Sequence, residues 1–128
     1  MSSEAPEAKY YYRINYRTWL KIMKDIVEFQ KNQMNFYLNM LYNCDKVAKT
    51  GQSDLDEKLA EVSCTYYFGK LVETLQSYLH NMDLIYLVSA NKEHYEFYID
   101  EFGNPYAHLV GKTLKKMRKR LESSKYIF

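Results

Sequence analysis

The sequence predicts an all-α protein: an antiparallel hairpin of two long helices with two shorter helices packed on it, a helical bundle. Apolar residues recur alternately every three and four positions over long stretches, which is the spacing of a helix face. Four glycines and two prolines in 128 residues are too few for the turns of a sandwich or barrel. With 47% hydrophobic and 27% charged residues, a chain of this length can bury its own core.

The first predicted helix runs from Tyr10 to Lys49, a stretch without glycine or proline. Its apolar residues form two seams about 100° apart around the helix axis, and the remaining face is polar. Because one seam serves one neighbouring helix in a coiled coil, we expect this helix to contact two partners. The first seam is Tyr16, Leu20, Met23, Val27, Gln30, Met34, Tyr37 and Leu41, and the second is Trp19, Ile22, Ile26, Phe29, Gln33, Phe36 and Met40.

Gln30 and Gln33 are polar residues in the middle of these two seams. One interpretation is that they fix the register of the packed helices, as polar residues at seam positions do. The other is that they lie near an end of the packed region and reach water. The sequence supports both equally.

A turn precedes the second long helix, which is predicted from Asp54 to Ser89. Gly51 suits the residue that follows a helix, and Ser53 suits the N-cap of the next one. The apolar seam of this helix is Cys64, Phe68, Leu71, Leu75, Tyr78, Met82 and Ile85.

Two shorter helices complete the predicted bundle, one from Glu93 to Phe102 and one from Pro105 to Ser123. Gly103 ends the first of them, and Asn104 caps the second with Pro105 in its first position. The domain therefore covers residues 10–123, with flexible tails predicted at 1–9 and 124–128.

The residue types that perform catalysis or bind metals are scattered along the chain. The three histidines are fourteen residues apart, and the four glycines form no phosphate-binding loop. The acidic residues between Glu93 and Glu101 are interpreted as a solvated helix face, and Cys64 as a packing residue of its seam. We expect no catalytic residue, metal site or cofactor, and hence no enzyme.

One dense cluster of charge lies on the last predicted helix, with Leu114, Met117 and Leu121 expected to face inward. Three interpretations stay open: a solvated face, a nuclear address of the K-K-x-R form, or a surface that contacts phosphates of nucleic acid or acidic lipid. The basic residues are Lys112, Lys115, Lys116, Arg118, Lys119 and Arg120.

The aromatic residues indicate how the protein works. Fourteen tyrosines suit a binding surface, since tyrosine gives rigid amphipathic contact area, although biased base composition explains them equally well. We expect a non-catalytic adaptor or complex subunit that binds another protein or a second copy of itself, with nucleic-acid binding through the basic helix as the alternative. The expected partner-binding residues are Tyr10, Tyr11, Tyr12, Tyr16, Trp19, Phe29 and Phe36.

The compartment follows from what the sequence does not carry. The first residues have no basic and apolar leader, and no stretch reaches the eighteen apolar residues of a membrane span. Two cysteines without a paired spacing favour a reducing environment. We expect an intracellular protein, nuclear or cytoplasmic, that is not secreted.

Overall fold

The computed structural model describes residues 7–50 and 53–124. In chain order these contain strand β1 (Tyr11–Ile14), helix α1 (Tyr16–Thr50), helix α2 (Asp54–Ala90), a 3-10 turn (Lys92–His94), strand β2 (Tyr95–Asp100), strand β3 (Pro105–Leu109) and helix α3 (Gly111–Ser124). The described part is mostly helical, and its two long helices pack together, as predicted. The sheet was not predicted.

The described residues group into two compact units. Unit 1 is discontinuous and comprises residues up to Met23 together with residues from Ile85 onward, whereas unit 2 comprises Lys24–Leu84. Unit 1 thus holds the sheet, α3 and the outer ends of the two long helices. Unit 2 holds the remainder of those helices, and the prediction of a single domain stays a prediction.

The long helices begin where the sequence provides caps. Asn15 caps α1, since its side-chain oxygen accepts a hydrogen bond of 2.8 Å from the backbone N–H of Thr18. Ser53 caps α2 in the same way, with its hydroxyl accepting from Asp56 at 3.2 Å, as predicted. The proposed role of Gly51 falls outside the described residues. α2 ends at Ala90, within one residue of its predicted end.

The segment 10–14, predicted as the start of the first helix, forms β1 instead. Three consecutive tyrosines and Ile14 have high strand propensity, and β1 finds a partner in β2. Asn15 separates this strand from α1, so the first helix begins at Tyr16 and not at Tyr10.

The predicted helix from Glu93 to Phe102 is wrong, because residues 95–100 form the central strand of an antiparallel sheet of order β1-β2-β3. Tyr95, Phe97 and Ile99 alternate with Glu96, Tyr98 and Asp100, which is the period of a strand. Gly103 and Asn104 do not separate two helices. They lie in the turn between β2 and β3, where Gly103 adopts a φ of 84° that a side chain would disfavour.

The predicted last helix is confirmed only from Gly111 onward. Pro105 is the first residue of β3, a strand position at which proline is tolerated, and not the first residue of a helix. Tyr106 to Leu109 continue the strand and pair with β2, with Phe97 opposite Ala107. The fold is therefore two long helices and one short helix with a small sheet.

The core of unit 1 lies on the inner face of the sheet, where Phe97 packs against the first turn of α1. The ring centroids of Trp19 and Phe97 are 5.2 Å apart, and those of Tyr16 and Phe97 are 5.5 Å apart. Trp19 and Val88 are fully buried. The indole N–H of Trp19 has no hydrogen-bond partner among the described residues, so packing of its ring holds Trp19 in place.

Candidate interaction surfaces

The first seam of α1 faces α2 in unit 2. The side-chain amide of Gln30 donates a 2.8 Å hydrogen bond to the Ser77 hydroxyl, and its oxygen accepts one of 3.1 Å from the Asn81 amide. Nearer the turn, the rings of Tyr37 and Tyr67 lie 6.3 Å apart. Later residues of α1 thus meet earlier residues of α2, which makes the hairpin antiparallel. Gln30 bridges the two helices, as expected of a residue that fixes register.

The second seam of α1 lies beside this contact and remains open. Ile26, Gln33 and Met40 are half-buried, whereas Phe29 is 62% exposed and Phe36 is 55% exposed. Both phenylalanines were predicted to bind a partner, and both side chains are accessible to one.

The predicted seam of α2 divides between two faces. Cys64, Leu71 and Tyr78 are half-buried in the hairpin. Thr74 and Asn81, absent from the predicted seam, are half-buried beside them. The polar partner Gln30 explains the position of Asn81, since a half-buried amide needs a hydrogen bond.

Because Thr74 and Asn81 take part in the contact with α1, part of the predicted apolar seam lies outside the hairpin. We name this exposed apolar row the α2 ridge. Its members recur alternately every four and three residues, the spacing of a helix seam. They are between 37% and 60% exposed. The α2 ridge comprises Phe68, Val72, Leu75, Leu79 and Met82.

The two thiols lie close together in unit 2. Burial and the neighbouring Cys44 thiol together raise the pKa of Cys64 above its ordinary value. Both cysteines are half-buried and free. Because the thiolate is the nucleophile, this shift lowers the reactivity of Cys64 near neutral pH, in line with its interpretation as a packing residue.

The carboxylate of Asp100 organises the turn between β2 and β3. It accepts hydrogen bonds from the backbone N–H groups of Phe102 (2.9 Å) and Asn104 (2.8 Å) and from the Tyr106 hydroxyl (3.0 Å). Burial by itself raises the pKa of Asp100, but these hydrogen bonds outweigh burial and hold the pKa below its ordinary value. Asp100 is 4% exposed, so its interpretation as part of a solvated helix face is wrong.

The outer face of the sheet collects aromatic and charged side chains that the sequence analysis did not bring together. Cross-strand partners project to the same side, so residues paired with Tyr98 share its face. The Tyr98 hydroxyl donates a 2.7 Å hydrogen bond to the Glu96 carboxylate, and this hydrogen bond raises the pKa of Tyr98. The sequence signal for this face is the alternation within 95–100 and 105–109, which is too short to outweigh a helical interpretation. It comprises Tyr11, Arg13, Glu96, Tyr98, Tyr106 and His108.

The remaining predicted partner-binding residues lie in unit 1. Tyr10, Tyr11 and Tyr12 are each more than half exposed, so their side chains are accessible. Tyr16 is half-buried, and its hydroxyl donates a 2.8 Å hydrogen bond to Ser89. Trp19 is fully buried. Tyr16 and Trp19 therefore serve the core of unit 1.

α3 presents its basic residues to solvent. Every α3 side chain that the structure describes is exposed, and this includes Met117 and Leu121, which were expected to face inward. Leu121 is 68% exposed. The side chain of Leu114 falls outside the described residues. The six predicted basic residues, Lys112, Lys115, Lys116, Arg118, Lys119 and Arg120, are all accessible.

The described residues contain no group of three or more histidine, cysteine, aspartate or glutamate side chains placed to hold a metal ion. Within residues 7–50 and 53–124, no helix has the length and hydrophobicity needed to cross a membrane. Comparison of the chain with protein-family models, with curated proteins and with solved structures finds no match.

Proposed function

We propose that the protein is a non-catalytic helical adaptor or subunit of a larger complex, which acts by binding another protein or a second copy of itself. The observation that carries this proposal is the α2 ridge. Five large apolar side chains at helix-seam spacing remain more than a third exposed. Exposed apolar rows of this kind mark surfaces that a partner covers.

The small number of buried side chains in unit 2 supports the same proposal. Among its described residues, only Ala60 is buried. Two helices can bury one seam each against one another, and the α2 ridge and the Phe29–Phe36 seam both lie outside that contact. A partner that supplies a helix of its own would complete a bundle around these rows.

Site-specific photo-crosslinking in native cells tests the proposal. A photoreactive phenylalanine analogue replaces Leu75 on the α2 ridge in one variant and Asn32, on the exposed polar face of α1, in a matched control. We expect one discrete crosslinked species from position 75 and none from position 32. Equal crosslinking from both positions, or none from position 75, would contradict the proposal.

The mass of the crosslinked species distinguishes the two kinds of partner. A species of twice the 15.4 kDa chain mass indicates a second copy, and any other mass indicates a different protein. Light scattering on the purified chain at low and high salt gives an independent mass. A dimer at both salts, together with a crosslinked species of twice the chain mass from position 75, places the α2 ridge in a self-interface.

A second candidate function is contact with nucleic acid through α3, which is favoured by the exposure of all six of its basic side chains. Cations on one exposed helix neutralise phosphates, and such binding weakens steeply with added salt. We expect the affinity for a duplex to fall with salt and to be abolished when Lys115, Lys116 and Lys119 are changed to glutamate. Affinity that does not depend on salt would rule this candidate out.

The expected compartment, nuclear or cytoplasmic, stays a prediction. A fluorescent fusion of the chain, compared with one that carries the three α3 charge reversals, tests whether the basic residues act as a nuclear address. Exclusion of the variant from the nucleus would support that role.

A further inference from the structure

The outer face of the sheet in unit 1 contains a pocket of about 480 Å³, within the range of small-molecule and side-chain binding sites. Its walls are almost entirely aromatic, with one carboxylate. We name these five residues the tyrosine cage: Tyr11, Glu96, Tyr98, Tyr106 and His108. All three strands contribute, so the sheet itself fixes the positions of the rings.

The rings of the tyrosine cage contact one another in pairs, one pair nearly parallel and two pairs edge to face. Tyr106 and His108 are two residues apart on β3, and their rings are nearly parallel, with an angle of 9° between their planes. Tyr11 stands against Tyr106 at 71° with centroids 5.5 Å apart, and Tyr98 stands against His108 at 62° and 5.7 Å. An aromatic ring carries negative potential on its face, so rings that surround a volume in this way attract a cation.

The rim of the cage carries one carboxylate, Glu96, and one guanidinium, Arg13, that pairs with it. The carboxylate of Glu96 is held at the rim by its hydrogen bond from Tyr98, with a distance of 2.7 Å between the oxygens. The chain's own Arg13 shows the preference of this face. Its guanidinium lies 5.7 Å from the centroid of the Tyr98 ring and 3.6 Å from the Glu96 carboxylate.

We propose that the tyrosine cage binds an organic cation of the quaternary ammonium class, such as a trimethylated lysine side chain. Methyl groups spread the positive charge and lower its hydration, which suits a pocket lined by ring carbons. Arg13 occupies the position of a cation at the rim, so a ligand cation competes with it for Glu96 and the ring face of Tyr98. This inference stands on the sheet alone and does not rest on the adaptor function.

The test compares two probes of the same shape, choline and its uncharged isostere 3,3-dimethyl-1-butanol. Binding to the full chain is followed by NMR of the tyrosine and histidine rings. We expect choline to shift the ring resonances of the cage saturably, and the isostere to bind at least about fivefold more weakly. Equal affinity for both probes overturns the proposal. So does the absence of any shift in the ring resonances of the cage when choline is present in 100-fold excess.

Three variants separate charge from shape. Glu96→Gln keeps the size of the side chain and removes its charge, so choline should bind several-fold more weakly. Arg13→Gln removes the competing cation, so choline should bind more tightly, an effect in the opposite direction that general loosening of the sheet would not produce. Tyr12→Leu changes an exposed tyrosine on the other face of β1 and should leave choline affinity unchanged.

The integrity of the sheet is checked in each variant through the fluorescence of Trp19, which is the only tryptophan and is buried against Phe97. If Glu96→Gln or Arg13→Gln retains the Trp19 emission of the wild type yet choline affinity does not change, the cage does not act through charge and the proposal fails. A loss of affinity in Tyr12→Leu equal to that in Glu96→Gln has the same consequence.

Discussion

The two units of this protein differ in how far their apolar side chains are buried. Unit 1 places Trp19, Met23, Val88 and Phe97 at 5% exposure or less, beside a sheet that pairs an early strand, β1, with a late one, β2. Unit 2 buries only Ala60 among its described residues and leaves long apolar rows open. The contrast is that unit 1 encloses a core of its own, whereas unit 2 leaves its apolar rows exposed.

The largest expected effect comes from the core of unit 1. Changing Trp19 to alanine should lower the free energy of unfolding by about 3–5 kcal/mol, because it removes a fully buried ring and leaves a cavity. Changing Phe29 to alanine, at 62% exposure in unit 2, should alter it by no more than about 0.5 kcal/mol. Urea unfolding followed by circular dichroism measures both. Similar losses in the two variants would remove the contrast between the units.

A smaller effect is expected at the turn of unit 1, and it depends on pH. Because the folded-state pKa of Asp100 lies below its ordinary value of 3.8, ionised Asp100 stabilises the fold above that pH, and this contribution disappears as the pH falls through the folded-state pKa. Asp100→Asn should therefore lower the melting temperature at pH 7, and the difference from wild type should narrow below about pH 3.8.

Tyr106→Phe is the matched control for this measurement. It removes one hydrogen bond to Asp100 and leaves those from the backbone of Phe102 and Asn104 in place. Its loss of melting temperature at pH 7 should be intermediate. A difference between Asp100→Asn and wild type that stays constant from pH 7 to pH 2 would contradict the assigned role.

Two leucines of α2 sharpen the comparison within unit 2. Leu71 is half-buried in the hairpin, so Leu71→Ala should lower the free energy of unfolding by about 1 kcal/mol. Leu75 lies on the α2 ridge, so Leu75→Ala should leave the isolated chain nearly unchanged and weaken its association. Urea unfolding and light scattering distinguish the two outcomes. A larger loss of stability in Leu75→Ala would mean that the ridge is not the open face.

The smallest expected effect concerns Gln30. Gln30→Leu replaces hydrogen bonds to Ser77 and Asn81 by apolar contact and should change the free energy of unfolding by less than about 1 kcal/mol. It should nevertheless loosen the register of the hairpin. The measurement is the yield of a Cys44–Cys64 disulfide under mild oxidation, because these thiols are neighbours in the native register.

Gln33→Leu is the control for Gln30→Leu. Gln33 belongs to the second seam of α1 and is likewise half-buried. The disulfide yield should fall in Gln30→Leu and stay at the wild-type level in Gln33→Leu. Equal yields in both variants would show that Gln30 does not fix the register.

Most of α1 and α2 was predictable because the causes of these two helices are local. The three-and-four spacing and the caps of α2 are all readable within a few residues of each other, and Ser53 and Ala90 fall where expected. The strands were not predictable in this way. β1 pairs with a segment nearly ninety residues further along the chain, and β2, with six residues, is too short for its alternation to outweigh a helical interpretation.

The interaction surfaces were predictable in kind and not in position. Exposed Phe29 and Phe36 were named from their seam, but the α2 ridge was not, since Phe68, Leu75 and Met82 share one apolar row with residues that face α1. Which side of such a row meets α1 depends on the partners of Gln30 on the other helix, and a pattern within α2 alone does not contain that information.

The discontinuity of unit 1 has a consequence for synthesis on the ribosome. β1 emerges early, but its pairing partner β2 emerges only after all of unit 2, so Tyr11 cannot meet Asp100 until both long helices have left the exit tunnel. The hairpin of the two long helices can close first, because its contacts are nearer in sequence. Its closure reduces the length of unfolded chain, and hence the entropy lost, when β1 pairs with β2. Any nascent chain cut short before Tyr95 would carry its apolar rows without the sheet, a species that quality-control proteases recognise by its exposed surface.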